Sequence, residues 1–468
     1  MARMSRRARL PTEAAQAAID SLTHDGRGVA HVDGRAVFID GALPGETVRF
    51  RYTGIRRDFA EGRAETVLES SPERVEPFCA HFGVCGGCAL QHLAPEAQIR
   101  YKQTQLLEQL KRIGKTEPAS VWAPLTGPVA GYRHKARLGV KFVAKKGRVL
   151  VGFREKSSAL LADLQRCPVL HPAVGEKLEA LGGLIFSLGL RDKIPQIEVA
   201  LGDDRHALVF RVMDDPGVDD LARLAAFGAA HGFDIYLQRH GPDSLRPLYL
   251  DQSAGSGLAR EVPEGGRAGI ARHEYPPLPG YALEDFGVDF RFRPGEFTQV
   301  NPAINRHMVA RAVELLDLRP EDTVLDLFCG LGNFTLPLAR RAGEATGVEG
   351  DAGQVERARD NARRNGLENV YFHAADLFQP VKGQDWAERR YDKLLLDPSR
   401  AGAREILEYI PRWKPARIVY VSCNPATLAR DAGVLVHDLG YRLLGAGVMD
   451  MFPHTAHVES IALFGRGK

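Results

Sequence analysis

Val324-Leu-Asp-Leu-Phe-Cys-Gly-Leu-Gly-Asn333 decides the fold of this chain. Its first five residues form a short apolar run bounded by polar residues, which predicts a buried strand of a parallel sheet. Gly330 and Gly332 then allow a tight turn and close approach of a ligand to backbone, and a helix is expected from Phe334 to Arg341. A second apolar run closes at Val348-Glu349, 23 residues after Asp326, where an acid can accept hydrogen bonds from ribose hydroxyls. A pyrophosphate-binding loop would carry a further glycine, which is absent. The pattern therefore suits S-adenosylmethionine on a Rossmann-like α/β domain better than a dinucleotide. A G-x-G pair by itself is equally an ordinary strand-to-helix turn.

Further along, reactive groups stand at the ends of other apolar runs. Tyr391-Asp-Lys-Leu-Leu-Leu leads to Asp397-Pro-Ser-Arg400, and Ala416-Arg-Ile-Val-Tyr-Val-Ser leads to Cys423-Asn-Pro425. Met449-Asp-Met-Phe-Pro-His-Thr leads to Glu459, so that His454, His457 and a carboxylate gather within six residues. The carboxyl ends of parallel strands face the ligand crevice of an open α/β sheet, so Asp397 and Cys423 are expected to line one site. A lone cysteine is usually an inert small hydrophobe, and Cys329 in the glycine loop reads that way. A solvated surface glutamate is the plain reading of Glu459. Taken together, a thiol, a base and a methyl-donor site are what methylation of a pyrimidine C5 carbon requires. That carbon becomes nucleophilic only after a thiolate adds at C6, and its proton must later be removed.

These segments, with Phe297-Thr-Gln-Val-Asn301 upstream, resemble the uracil-C5 RNA methyltransferases. The resemblance implies that Cys423 is the nucleophile and Glu459 the base. It also implies that Gln299, Phe328, Asn333, Glu349, Asp376 and Asp397 hold S-adenosyl-L-methionine. Two departures bear on fine positioning: Ser399 stands where the family usually has a second proline, and Asp376 where some members have Asn.

Of six cysteines, Cys79, Cys85 and Cys88 are spaced C-x5-C-x2-C, and Cys167 follows at a distance. A radical enzyme would want C-x3-C-x2-C with one iron left open. Disulfides are not expected, because no secretion signal is present and Cys423 needs a reducing compartment. Spacing leaves a structural zinc and a four-iron cluster both open. The family resemblance implies a [4Fe–4S] cluster on Cys79, Cys85, Cys88 and Cys167, since the large-subunit rRNA members carry this pattern.

Before the cysteines, Asp25-Gly-Arg-Gly28, Asp33-Gly34, Asp40-Gly41 and Leu43-Pro-Gly-Glu46 punctuate alternating apolar runs, which predicts a small β-barrel. That segment resembles a TRAM domain, an OB-like RNA-binding fold. Its charge does not reveal this: residues 1–78 hold 12 Lys and Arg against 12 Asp and Glu, and only Arg3, Arg6, Arg7 and Arg9 make a basic tail. The basic stretch comes later. Residues 100–160 hold 14 Lys and Arg against three Glu, a net of +11 in a chain of net +3. Tyr132, His134, Phe142 and Phe153 are interleaved with these charges, and rings in such a setting can stack on unpaired bases. A solvated charged face is the alternative.

The expected organisation is a basic tail (1–11), a TRAM barrel (12–70), a central α+β iron–sulfur domain (71–93 and 126–281) and a methyltransferase domain (94–125 and 282–468). Residues 94–114 read as one helix presenting Ile99, Leu106, Leu107, Leu110 and Ile113. The resemblance implies that this helix packs on the methyltransferase domain. No apolar run approaches the ~20 residues of a membrane span. The expected protein is a cytoplasmic monomer with no obligate protein partner, acting on large-subunit ribosomal RNA. Two alternatives stand beside it: action on transfer RNA or on two ribosomal sites, and an inert RNA-binding assembly factor.

Overall fold

The computed structural model describes residues 10–251, 258–261 and 277–466. The arginines of the N-terminal tail lie outside them. Five strands of the C-terminal sheet run parallel in the order Val370–Ala374, Glu344–Glu349, Thr323–Leu327, Lys393–Leu396 and Arg417–Ser422. Glu459–Arg466 and then Tyr441–Met449 extend this sheet antiparallel. Their near-continuous apolar runs are buried on both faces. Val324, Leu395, Val419 and Val421 meet Ile304, Met308, Val355 and Ala358 on one side. Leu325, Leu327, Leu394 and Tyr420 meet Ile99, Leu106, Leu110 and Leu428 on the other. The strand order reverses between Thr323–Leu327 and Lys393–Leu396, which opens a ligand crevice at their carboxyl ends.

Ile99, Leu106 and Leu110 come from the helix Pro95–Arg112. Pro95 and Glu96 in its first turn and Lys111 and Arg112 in its last suit the helix dipole. Ile113 is 46% exposed rather than part of the apolar face, because the helix ends at Arg112. Beyond it the chain runs along the edge strand Tyr441–Met449, where Trp122 N–H donates to Ala446 O at 2.9 Å. Trp122 lies so close that a Cβ on Gly445 would sit 2.4 Å from its ring. The helix expected at 334–341 is shorter, Thr335–Ala339, since Gly332 N–H already bonds Cys329 O in a preceding turn.

Two further units precede the catalytic sheet. Residues 15–69 form a six-stranded sheet around Ala30, Val37, Ile39, Val48, Phe50 and Ala60, with three register shifts that tighten its twist. Between 135 and 261, seven mixed strands carry the helices Leu178–Ser187 and Val218–His231, an α+β arrangement.

Candidate active site

The nucleophile candidate and the base candidate come from neighbouring strands. Arg417–Ser422 and Glu459–Arg466 pair antiparallel with Ser422 opposite Ser460. Cys423 and Glu459 are the residues next to that last pair, Cys423 in the bend that follows the strand, and the charge of Glu459 acts on the Cys423 thiol. Ser460 Oγ donates to Ser422 O at 3.2 Å and braces the pair. Asn424 caps the helix Pro425–Gly433 through Ala426 N–H, and its Nδ2 donates to Arg400 O at 3.0 Å. The turn after Cys423 is thereby tied to Asp397-Pro-Ser-Arg400. Ser399 holds that turn through its carbonyl, which accepts from Gly402 N–H at 3.0 Å.

Charge and burial set the protonation states. Glu459 is partly buried, and desolvation followed by the charge of Asp397 pushes its carboxyl up to about 8, with Arg400 and Lys102 opposing. Asp397 is pushed up to about 7 by burial and by Glu349. The Cys423 thiol is raised to about 11 by desolvation, then by Glu459 and Asp397, with Arg400 pulling the other way. At rest the site holds a neutral thiol beside carboxyls poised to exchange protons near neutrality.

The cofactor candidates cluster less evenly. Phe328 sits in the left-handed region at φ +64 and Gly330 at φ +56, turning the backbone sharply after the strand. Gly330 N–H donates to Glu349 Oε2 at 3.0 Å, which ties the two acidic strand ends together. Phe328 and Phe378 face each other at 5.7 Å, and Asp376 is exposed beside them, accepting from Phe378 N–H. Gln299 makes no side-chain hydrogen bond among the described residues. Asn333 is largely spent: its Oδ1 accepts from Tyr281 and Asn305, and its Nδ2 donates to Asn305 Oδ1. Sequence reasoning missed Asp326 as a site residue. Its Oδ2 accepts from Thr335 at 2.5 Å, while the buried Oδ1 has no partner, as is true of Gln354 Oε1. The signal was an acid inside an otherwise apolar strand. Two orphaned acceptors beside a strained glycine loop are what a bound, donor-rich cofactor would complete.

His454 does not join Glu459 in the crevice. It is buried and held by helix Pro95–Arg112, whereas His457 is exposed and meets Arg400 at 3.1 Å. Several basic-stretch expectations also change. Tyr132 is buried with its hydroxyl on Pro453 O, so its ring cannot stack on a base, and Phe153 is half-buried at a cavity wall. Lys146 and Arg148 both pair with Asp163, while Lys141 and Lys145 stay exposed.

The cavity beneath Phe153, of about 190 Å³, is lined by Cys79, Cys85, Cys88 and Cys167. All four thiols are free. Burial lifts Cys88 to about 12 and raises Cys85 and Cys167, and neighbouring thiols raise these three further. Among the described residues, no three His, Cys, Asp or Glu side chains are set closely enough to hold a metal ion. Nor is any helix there long and apolar enough to cross a membrane.

Comparison with known proteins agrees with this arrangement. Residues 281–466 match the tRNA (Uracil-5-)-methyltransferase family model, and 15–64 match the TRAM domain. A 23S rRNA (uracil(1939)-C(5))-methyltransferase RlmD of Methylococcus capsulatus is 57% identical over 100% of both chains. Its namesake in Alkalilimnicola ehrlichii is 55% identical over 98% of each. The crystal structure of Pyrococcus abyssi tRNA (uracil-54, C5)-methyltransferase with S-adenosyl-L-homocysteine has 27% identity and a TM-score of 0.69. It covers 96% of this chain and 99% of its own. With a TRAM domain, a methyltransferase domain and full-length identity above one half, this chain belongs to the RNA uracil-C5 methyltransferases.

Proposed function

We propose that this protein methylates C5 of one uridine in 23S ribosomal RNA, at the site equivalent to the one named for its relatives, using Cys423 and Glu459. The observation that supports the chemistry is the ladder ending at Ser422 opposite Ser460, so that Cys423 and Glu459 are the next residues at that strand edge, with the Glu459 charge acting on the thiol. S-adenosylmethionine, when bound, supplies the electrophilic methyl group. Gln299, Phe328, Glu349, Asp376 and Asp397 would hold it, with Asn333 contributing chiefly by fixing the loop and Asp326 completing the set. Cys423 adds to uracil C6 as its proton leaves, which makes C5 nucleophilic. Asp397, raised toward neutrality, can take up that proton, which leaves the Glu459 carboxylate available for the later step. Once C5 bears the methyl, Glu459 removes the C5 proton and the thiolate is eliminated, restoring the aromatic ring.

The cysteine cavity fits a [4Fe–4S] cluster better than zinc. A zinc ion needs four sulfurs drawn to about 2.3 Å around one point, whereas four thiols around an open volume suit a cubane. Cys79, Cys85, Cys88 and Cys167 would hold it as a structural crosslink, since methyl transfer needs no electron. The domain limits follow: a TRAM unit over 12–70, the cysteine-bearing unit over 71–93 and 126–281, and the catalytic unit over 94–125 and 282–468. RNA would lie along exposed Lys141 and Lys145, the protein acting as a monomer in the cytoplasm.

Mass mapping of 5-methyluridine in RNA from a deletion strain, complemented with wild type or Cys423→Ala, tests the assignment. One ribosomal site should vanish and return only with the wild type. Loss from transfer RNA or from two ribosomal sites would overturn the substrate. With 5-fluorouridine RNA the wild type should trap a covalent adduct. Trapping that persists in Cys423→Ala would move suspicion to Cys329.

A further inference from the structure

Glu459 opens the last strand, and Met449, its ladder partner, closes the strand before it. The nine residues between them form no ladder, so other contacts must set where the carboxylate points. Ala89 and Leu90 N–H on His454 O, Tyr132 on Pro453 O and Arg400 on His457 supply some of them, and one helix supplies a buried pair. Gln98 and Lys102 lie four residues apart on Pro95–Arg112, on the face turned inward, and are 1% and 0% exposed. Lys102 Nζ donates to Asp450 Oδ1 at 2.7 Å and to Phe452 O at 2.9 Å. Gln98 Oε1 accepts from His454 N–H at 2.8 Å, and its Nε2 reaches His454 Nδ1 at 3.2 Å. His454 Nε2 lies 2.9 Å from Val129 O, so that nitrogen carries the proton and Nδ1 accepts. Gln98 Nε2 also donates to Leu93 O at 2.7 Å and Leu90 O at 3.0 Å, so its contact with Nδ1 is the longest of three, and the neutral ring is fixed mainly through Nε2.

Two features say that the bracket does more than fill space. His454 adopts φ +65, a left-handed conformation costly for a residue with a Cβ, and such strain persists only where surroundings over-determine it. Strain of this kind gathers at functional sites. The second is Lys102 itself. An apolar pair of similar volume would usually hold a loop at least as stably as a fully buried ammonium and carboxylate. Lys102 also brings a positive charge toward Glu459, where it works with Arg400 against the burial and Asp397 that favour the protonated acid.

We propose that Gln98 and Lys102 are positioning residues for the proton-abstraction step, fixing the 450–458 loop so that the Glu459 carboxylate faces the nucleophile. The inference rests on the reading of Glu459 as the base. It predicts a stage-specific defect: nucleophilic addition and methylation survive, but release of product RNA does not keep pace.

The test uses full-length protein and ordinary substrate RNA free of fluorine. Gln98→Ala removes one half of the bracket. Lys102→Met with Asp450→Asn removes the buried pair together, avoiding the unpaired Asp450 that would unfold a single variant. Glu459→Gln is the reference. Methyl transferred in a single turnover is measured beside denaturation-resistant protein–RNA adduct and the pH profile of release. Single-turnover transfer should stay within about threefold of wild type, while release slows at least tenfold and adduct accumulates. Four charged or titratable groups face Glu459: Asp397, Arg400, Cys423 and Lys102. Loss of Lys102 alone among these should move the release profile to higher pH in the double variant. Transfer and release falling together, with no adduct, would mean a purely structural role and overturn the proposal, as would unaltered release. Those results beside a stalled Glu459→Gln leave the base assignment standing. If Glu459→Gln itself turns over normally, or neither methylates nor forms adduct, the base reading fails and this inference with it.

Discussion

Glu459→Gln should stabilise the protein while disabling it, and the gain should grow with pH. Burial and Asp397 lift the Glu459 carboxyl from its ordinary 4.5 to about 8 in the folded chain. A raised carboxyl binds its proton more tightly folded than unfolded, so its contribution to stability falls as pH climbs from about 4.5 to about 8 and is constant above. At about 1.4 kcal/mol per pH unit the ceiling on that loss is near 5 kcal/mol. Glu459 is only partly buried, so screening by solvent leaves about 2–3 kcal/mol of that ceiling. Glutamine has the same shape and no charge at any pH. For a unit of this size the difference is roughly 5–10 °C in Tm, absent at pH 4.5 and fully developed by pH 8.5. Paired thermal melts of wild type and variant across that range would measure it. A difference that does not change with pH, or one that grows as pH falls, would refute the picture of a strained, desolvated base. Catalysis should show the matching loss, a release rate lower by 10²–10⁴-fold with adduct building on ordinary RNA.

Other expectations are more local. Anaerobically purified protein should be brown with about four irons per chain, and stoichiometric zinc without sulfide would contradict the cluster. Neutralising the exposed pair Lys141 and Lys145 should lower the log–log salt slope of RNA binding by about 1.4, at about 0.7 per lost contact. The Asp163-paired Lys146 and Arg148 should contribute less, which competition binding in graded salt would show. Because a carboxyl raised to about 7 takes the proton of the neutral Cys423 thiol, adduct formation with 5-fluorouridine RNA should climb as pH rises toward about 7 and then level off. A rate independent of pH would mean that the thiolate is already formed at rest.

The catalytic half was legible because its chemistry sits where chain pattern changes. An acid at the end of an apolar run, a cysteine before Asn-Pro and a glycine pair after a strand are all local marks. What escaped notice depends on residues far apart. Gln98 and Lys102 occupy the apolar face of their helix, and only distant Asp450, Phe452 and His454 explain polar groups there. His454 looked like a partner of Glu459 because proximity along the chain was the only measure at hand. Tyr132 looked like a stacking platform for a similar reason, since composition registers a ring among charges but not which way it faces. Asn333 matched a motif whose carboxamide turns out to be occupied by Tyr281 and Asn305.

The pairing of Lys102 with Asp450 spans 348 positions of sequence. A ribosome adds roughly 5–20 residues per second, so Lys102 waits tens of seconds for its carboxylate to be made. Until then helix Pro95–Arg112 carries a charged group on the face meant for the interior, and the last two strands of the sheet do not exist. The earlier units can close during synthesis. The proposed site cannot, because Cys423, Glu459 and residues 450–458 follow all the earlier strands of the sheet. Completion of the sheet and formation of the candidate site therefore depend on the same late segments.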